Sequence, residues 1–169
     1  MQRDYVINFW SKAKLRCWSV ESLRSLNIDV ISKSFLSEVG LPFEVGLTLR
    51  FDPEEGEIPR LPKFEHFCRV GFDDFVPICI DESKMGRLVA VEDEEAGTER
   101  YVNASVEDFA EFLVYYEQYR TSVRGVSEDE ALRLVAATEE RMRSADPTAF
   151  KDPESWWPMI IEQMRDGML

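Results

Sequence analysis

Gly86–Tyr119, GRLVAVEDEEAGTERYVNASVEDFAEFLVYYEQY, is the stretch whose reading decides the fold. Arg87–Val91 reads as a strand, Glu92–Gly97 as an acidic turn and Thr98–Val102 as a second strand. Asn103 and Ala104 lead to Ser105, which stands as an N-cap three residues before Asp108, so a weak capping box opens a helix. Val106, Phe109, Ala110, Phe112, Leu113 and Tyr116 recur at a 3.6-residue period and make an apolar stripe wide enough to cover a sheet. Glu107, Asp108 and Glu111 fall on the other side and are expected to face water. A hairpin feeding a helix that folds back over its apolar face is the core of an α+β domain.

Upstream, Val45, Leu47, Leu49 and Phe51 alternate as a strand does. Asp52–Gly56 is a loop of turn formers, and Pro59 and Pro62 keep the next stretch irregular. Phe67–Phe72 and Phe75–Ile80 read as a further hairpin closed by Asp73 and Asp74, with Pro77 arguing for an edge or a bulge. The result is a mostly antiparallel sheet of about five strands in sequence-neighbour order. The first third of the chain is helical. One helix is predicted from Asp4 to Cys17 and a short one after Ser19. A third is capped by Asp29, with Val30, Ile31, Phe35 and Leu36 inward and Gly40 and Pro42 ending it.

Downstream, Ser127 and Glu130 form a second capping box, and Ala131, Leu132, Val135, Thr138 and Met142 make that helix's inner face. Asp146–Pro147 and Asp152–Pro153 are turn or helix-start pairs. A last helix begins near Ser155, since Pro158 is tolerated only in a first turn. Trp156 and Trp157 point about 100° apart on it. One is expected to be buried, and its neighbour partly exposed or covered by the preceding loop.

The 169 residues fit one domain, read as 1–169, and 44% hydrophobic residues with eleven Phe and four Trp supply its core. No apolar run is long enough to span a membrane and no secretory signal is visible, so the expected location is the cytoplasm. The net charge is −13, unevenly placed. Residues 1–36 carry six Lys/Arg against three Asp/Glu, and the remainder fourteen against thirty. So acidic a body disfavours nucleic acid and anionic membranes and suits a basic protein partner. Acidity that only maintains solubility is the alternative.

Chemistry is hard to build from these residues. Cys17, Cys68 and Cys79 are too scattered for a zinc site or disulfide framework and read as buried free thiols. His66, the one histidine, lies among aromatics and reads as a packing residue. Neither a nucleophile elbow nor a phosphate-cradling glycine loop is present. Paired carboxylates could hold a divalent cation or act as acid and base, yet Asp81–Gly86 lacks the spacing of a calcium loop. No catalytic residue, metal site or cofactor is therefore expected. Asp73 and Asp74, with Glu92, Asp93, Glu94 and Glu95, are expected on exposed turns at one end of the sheet. There they would form an acidic rim for a basic partner, with Phe72 and Phe75 as anchors.

The ordered set of these features resembles the SUKH superfamily, and specifically its fourth immunity-protein family. The resemblance runs from about residue 19 to the end. It rests on Phe35–Pro42, on Val70–Phe72, Ile78–Ile80 and Gly86–Val91, on Tyr101–Ser105 with Phe109, Phe112 and Leu113, and on Trp156–Gly167. Residues 1–18 stand outside it as an individual helical addition. The family has no catalytic motif to carry over. The resemblance implies a non-enzymatic immunity protein that binds a cognate bacterial toxin domain of nuclease or deaminase type and occludes its active face. A SUKH-like interaction or scaffold module without a toxin is the alternative. The oligomeric state is left open.

Overall fold

In the computed structural model, which describes residues 2–169, the chain begins with helix α1 (Gln2–Trp10). This helix ends seven residues earlier than its apolar spacing predicts. Ser11 takes a left-handed φ of 60°, and the chain then extends into the short strand β1 (Leu15–Arg16). Cys17 is accordingly exposed, not buried. Ser19 caps α2 (Val20–Leu23), and Asp29 caps α3 (Val30–Glu38) by accepting from the N–H groups of Ile31 and Ser32, both at 2.9 Å. Ser32, Phe35 and Leu36 form the buried stripe of α3. Val30 and Ile31 fall off that stripe and are exposed, contrary to expectation. After α3 the chain enters β2 (Leu41–Pro42), which pairs with β1. Gly40 is required at this junction. Its φ is +76°, and a Cβ there would stand 2.0 Å from the Arg16 carbonyl oxygen.

The main sheet follows. β3 (Glu44–Val45) and β4 (Leu49–Arg50) form a tight hairpin, so the single strand expected over Val45–Phe51 is broken at Gly46–Thr48 and Leu47 sits at a turn tip. β5 (Arg60–Leu61) lies between the two prolines. β6 (Phe64–Asp73), β7 (Val76–Asp81), β8 (Arg87–Asp93) and β9 (Thr98–Asn103) form an antiparallel meander. The order is β3-β4-β6-β7-β8-β9, with β5 also on β6, so the sheet has seven strands and not five. The split of Val45–Phe51 and the pairing of β5 supply the extra two. β4 pairs β6 near Asp73, and β5 pairs it nearer Phe64. Pro77 is tolerated inside the sheet because it pairs only with Phe72 of β6. The β7–β8 ladder starts one residue later, at Ile78↔Ala90.

Alternation along the strands gives the sheet two faces. On the inner face Cys68, Val70, Ile78, Ile80, Leu88, Ala90 and Val102 join one continuous core with the helices. On the outer face Leu61, Phe67, Cys79, Val89 and Val91 form a smaller cluster that Phe64 closes. Helix α4 (Val106–Ser122) covers the inner face, and its predicted stripe is buried throughout. Ser105 caps it by accepting from the Asp108 N–H at 3.1 Å. Glu107, expected in water, is buried because α3 packs over that side of α4, and Ser32 Oγ donates to its Oε2 at 3.1 Å. α1 packs on α4, as does α5 (Glu128–Ala145), which buries Val135, Thr138 and Met142 while Leu132 is exposed. A 3-10 turn over Pro147–Phe150 leads to α6 (Trp156–Arg165), where Trp156 and Trp157 are both buried.

Candidate functional site

The two acidic turns are alternate connections of an antiparallel meander and so leave the sheet at the same end. Their carboxylates are nevertheless in different states. On the β8–β9 turn, Asp93 accepts from the N–H groups of Glu95 and Ala96 at 2.9 and 3.1 Å and so caps its own turn. Glu92 takes two hydrogen bonds from Arg100, at 2.7 and 3.0 Å, and Glu95 pairs with Lys63. Only Glu94 has neither an ion pair nor a turn to cap among the described residues. β7 stops supporting β8 at Ala90, and the tip beyond it meets the β5–β6 hairpin across the outer face. Gly97 adopts φ +69°, and a Cβ there would lie 2.5 Å from the Phe64 ring.

The β6–β7 turn is different. Asp74 takes a left-handed φ of 54°, which aspartate tolerates better than most residues, and its N–H donates to the Thr48 carbonyl at 2.8 Å. Leu49 pairs with Asp73 in the same register, so the β3–β4 and β6–β7 turns are fastened side by side. Leu47 is 98% exposed at one tip and Phe75 is 85% exposed at the other. Asp73 and Asp74 have no cationic partner among the described residues. Phe72 is half-buried under the Arg69 guanidinium, 4.7 Å from its ring. A groove of about 650 Å³ beside the tips is lined by Glu44, Leu47, Arg50, Phe72 and Asp74. The neighbours of the two acidic turns also diverge. Burial raises the Tyr116 phenol on α4, with Asp73 adding and Arg120 opposing, whereas Glu94 adds to the burial that raises the Cys79 thiol on the outer face. Six expected carboxylates therefore split into two groups, and only the β6–β7 group joins exposed apolar side chains. Leu47 escaped the sequence reading, because alternation placed it inside a strand.

Elsewhere, polar groups serve the fold. Asp146 is buried and accepts from Asn103 Nδ2, Ala104 N and Thr148 N at 3.0 Å each, and from Thr148 Oγ1. Asn103 Oδ1 in turn accepts from Trp157 Nε1 at 2.8 Å. A second groove of about 650 Å³ runs along β9, but its Arg87 is paired with Glu99 and its Arg100 with Glu92. Asp81 is wholly buried between Ser83 and Arg87. The His66 ring lies 4.2 Å from the Phe67 ring, tilted by 48°, as a packing residue does. Cys68 and Cys79 lie on neighbouring strands but in the clusters of opposite faces, and both are free. Burial pushes the Cys68 thiol up to about 12, which keeps it protonated and unreactive. Among the described residues no group of three or more His, Cys, Asp or Glu is placed to hold a metal ion. No helix among them is long and apolar enough to cross a membrane.

No curated protein and no solved structure shows significant similarity to the chain. The profile of the SUKH-4 immunity protein family, however, matches residues 20–163. That interval begins at α2, includes every strand of the main sheet and runs into α6, so the match covers the sheet, its covering helix and the Asn103–Trp157 seam. The chain belongs to the SUKH-4 immunity protein family.

Proposed function

We propose that this protein is a non-enzymatic immunity protein that binds a cognate toxin domain and neutralises it by occluding its active face. The observation that carries the reading is the family match over residues 20–163, since an immunity protein implies a toxin partner. The net charge of −13 supports a basic partner, and a toxin that acts on nucleic acid, as a nuclease or deaminase does, needs a basic groove. In this reading Asp73, Asp74, Phe72 and Phe75 meet the toxin, and Glu92, Asp93, Glu94 and Glu95 extend the negative field that steers it. The encounter takes place in the cytoplasm. The start of the match at residue 20 supports residues 1–18 as an addition to the family's fold within a single domain, 1–169.

The test is to express the C-terminal domain of a toxin encoded beside this chain's gene, alone and with this protein. Co-expression should restore growth and yield a complex on size exclusion. Growth arrest that persists with the protein present, and no complex, would overturn the reading.

A further inference from the structure

We propose that the fastened tips of the β3–β4 and β6–β7 turns form the apolar anchor of the toxin-binding face, and that they seat in an apolar pocket within a basic surface. This rests on the reading of the chain as a toxin-binding immunity protein, and it names the part of the surface that would govern dissociation. Turn tips ordinarily carry Gly, Asn, Asp or Ser, each for a backbone reason. Leu47 and Phe75 meet no such backbone need, and they are 98% and 85% exposed. The Asp74 N–H to Thr48 carbonyl bond at 2.8 Å and the Leu49↔Asp73 pairing hold the tips together, so little ordering cost is left for the moment of binding.

Charge identifies the occupant. Arg50 is paired with Glu44 at 2.9 Å, and Arg120, whose guanidinium lies against Gly46, is paired with Glu117 at 2.8 Å. Those pairs cancel, and the carboxylates left over beside the apolar tips are Asp73 and Asp74. An aromatic and a leucine flanked by two carboxylates that lack a cationic partner among the described residues are complementary to an apolar pocket rimmed by Lys or Arg. The groove of about 650 Å³ beside Leu47 gives a side chain from the partner's rim a place to enter.

The probe is a catalytically inactivated form of the toxin domain that the wild-type chain neutralises in cells. Leu47→Ser together with Phe75→Ser places turn-compatible residues at both tips, and circular dichroism and the melting temperature should match wild type. Binding should weaken by about 100-fold or more, chiefly through faster dissociation, and protection should be lost. Val30→Ser with Met85→Ser, which removes exposed apolar side chains outside these turns, should bind as wild type does. If the wild-type chain protects and the Leu47/Phe75 variant still binds within about threefold of it, the anchor is overturned while the immunity reading stands. If the wild-type chain neither binds nor protects, that reading falls and takes the anchor with it. A wild-type dimer that the double variant converts to monomer would also overturn the proposal, because a second copy would then cover the tips.

Discussion

The β9 edge of the sheet and the fastened turns at its end use the same residue types for opposite purposes. At the β9 edge, Asp146 gathers donors from Asn103, Ala104 and Thr148, Asn103 passes its oxygen to Trp157, and the 3-10 turn and α6 close over them. At the fastened β3–β4 and β6–β7 turns, Asp73 and Asp74 gather no cation among the described residues, and Phe75 and Leu47 stand in solvent beside them. An aspartate and an aromatic are thus bound into the fold at the β9 edge and left unspent at the fastened turns. Burying a carboxylate is costly unless its acceptors are filled, so Asp146 reports on stability. An exposed carboxylate costs the fold nothing, which leaves Asp74 free for a partner.

The comparison breaks most visibly at Trp157, which is fully buried, packs edge-on against Phe112 at 5.2 Å and also lies against Phe109 and Tyr116. Trp157→Ala should cost about 3–5 kcal/mol by urea denaturation. Domain stabilities are about 5–15 kcal/mol, so that loss could unfold the protein. A loss below about 1 kcal/mol would mean that α6 is not docked on β9. Phe75→Ala, a truncation of comparable kind at the β6–β7 turn, should change stability by less than about 0.5 kcal/mol.

Next in size is the seam itself. Asn103→Ala removes the acceptor of the Trp157 indole N–H and a donor to Asp146, leaving buried polar groups unpaired, and should cost about 1–3 kcal/mol. Equal stability of this variant and wild type would show that water or a rotated side chain replaces the lost bonds.

The hairpin and stripe within Gly86–Tyr119 were legible because period-2 and period-3.6 patterns are direct consequences of one-sided burial. The caps at Ser105, Asp29 and Ser127 were legible for a similarly local reason. What escaped was set by distant neighbours. Glu107 is polar at a position that only α3, some seventy residues earlier, converts into an interior one. Leu47 alternates correctly for a strand, yet the chain turns there and pairs Val45 with Leu49. The acid runs looked alike in sequence; Arg100 lies on the paired strand of the same hairpin as Glu92, but Lys63, which pairs with Glu95, comes from a strand connection some thirty residues earlier.

Glu107 is an intermediate case, buried like Asp146 but with one carboxylate oxygen unpartnered among the described residues. Burial raises its pKa above the usual carboxylate value, with Ser32 opposing and Asp29 and Asp108 adding. The folded state therefore holds this proton more tightly than the unfolded chain, whose glutamates titrate near 4.3. Stability from this group is present below that value and declines as pH rises through the raised folded pKa. Glu107→Gln keeps an acceptor for Ser32 and removes the ionisation. Its urea midpoint should lie close to wild type near pH 4 and exceed it by pH 7. A constant difference between the two proteins across that range would show that Glu107 does not titrate out of register with the unfolded chain.

The smallest effect on stability separates the two acidic turns from each other. Asp74→Asn retains a residue that accepts the left-handed φ of 54°, and Glu94→Gln removes the one β8–β9 acid without an ion pair or a turn to cap. Each should change stability by less than about 0.5 kcal/mol. Reversing Glu92–Glu95 wholesale would be a poorer probe, because it also breaks the Arg100 and Lys63 pairs and the Asp93 cap. In stopped-flow association with the toxin domain at low salt, Asp74→Asn should slow encounter about twofold or more, and added salt should erase the difference. Glu94→Gln should have the weaker effect, since its turn leans over the outer face towards Phe64 while Asp74 sits beside the proposed anchor. Equal slowing by both would mean that the partner feels one continuous acidic rim, and the contact would then have to extend from the β6–β7 turn across to the β8–β9 tip.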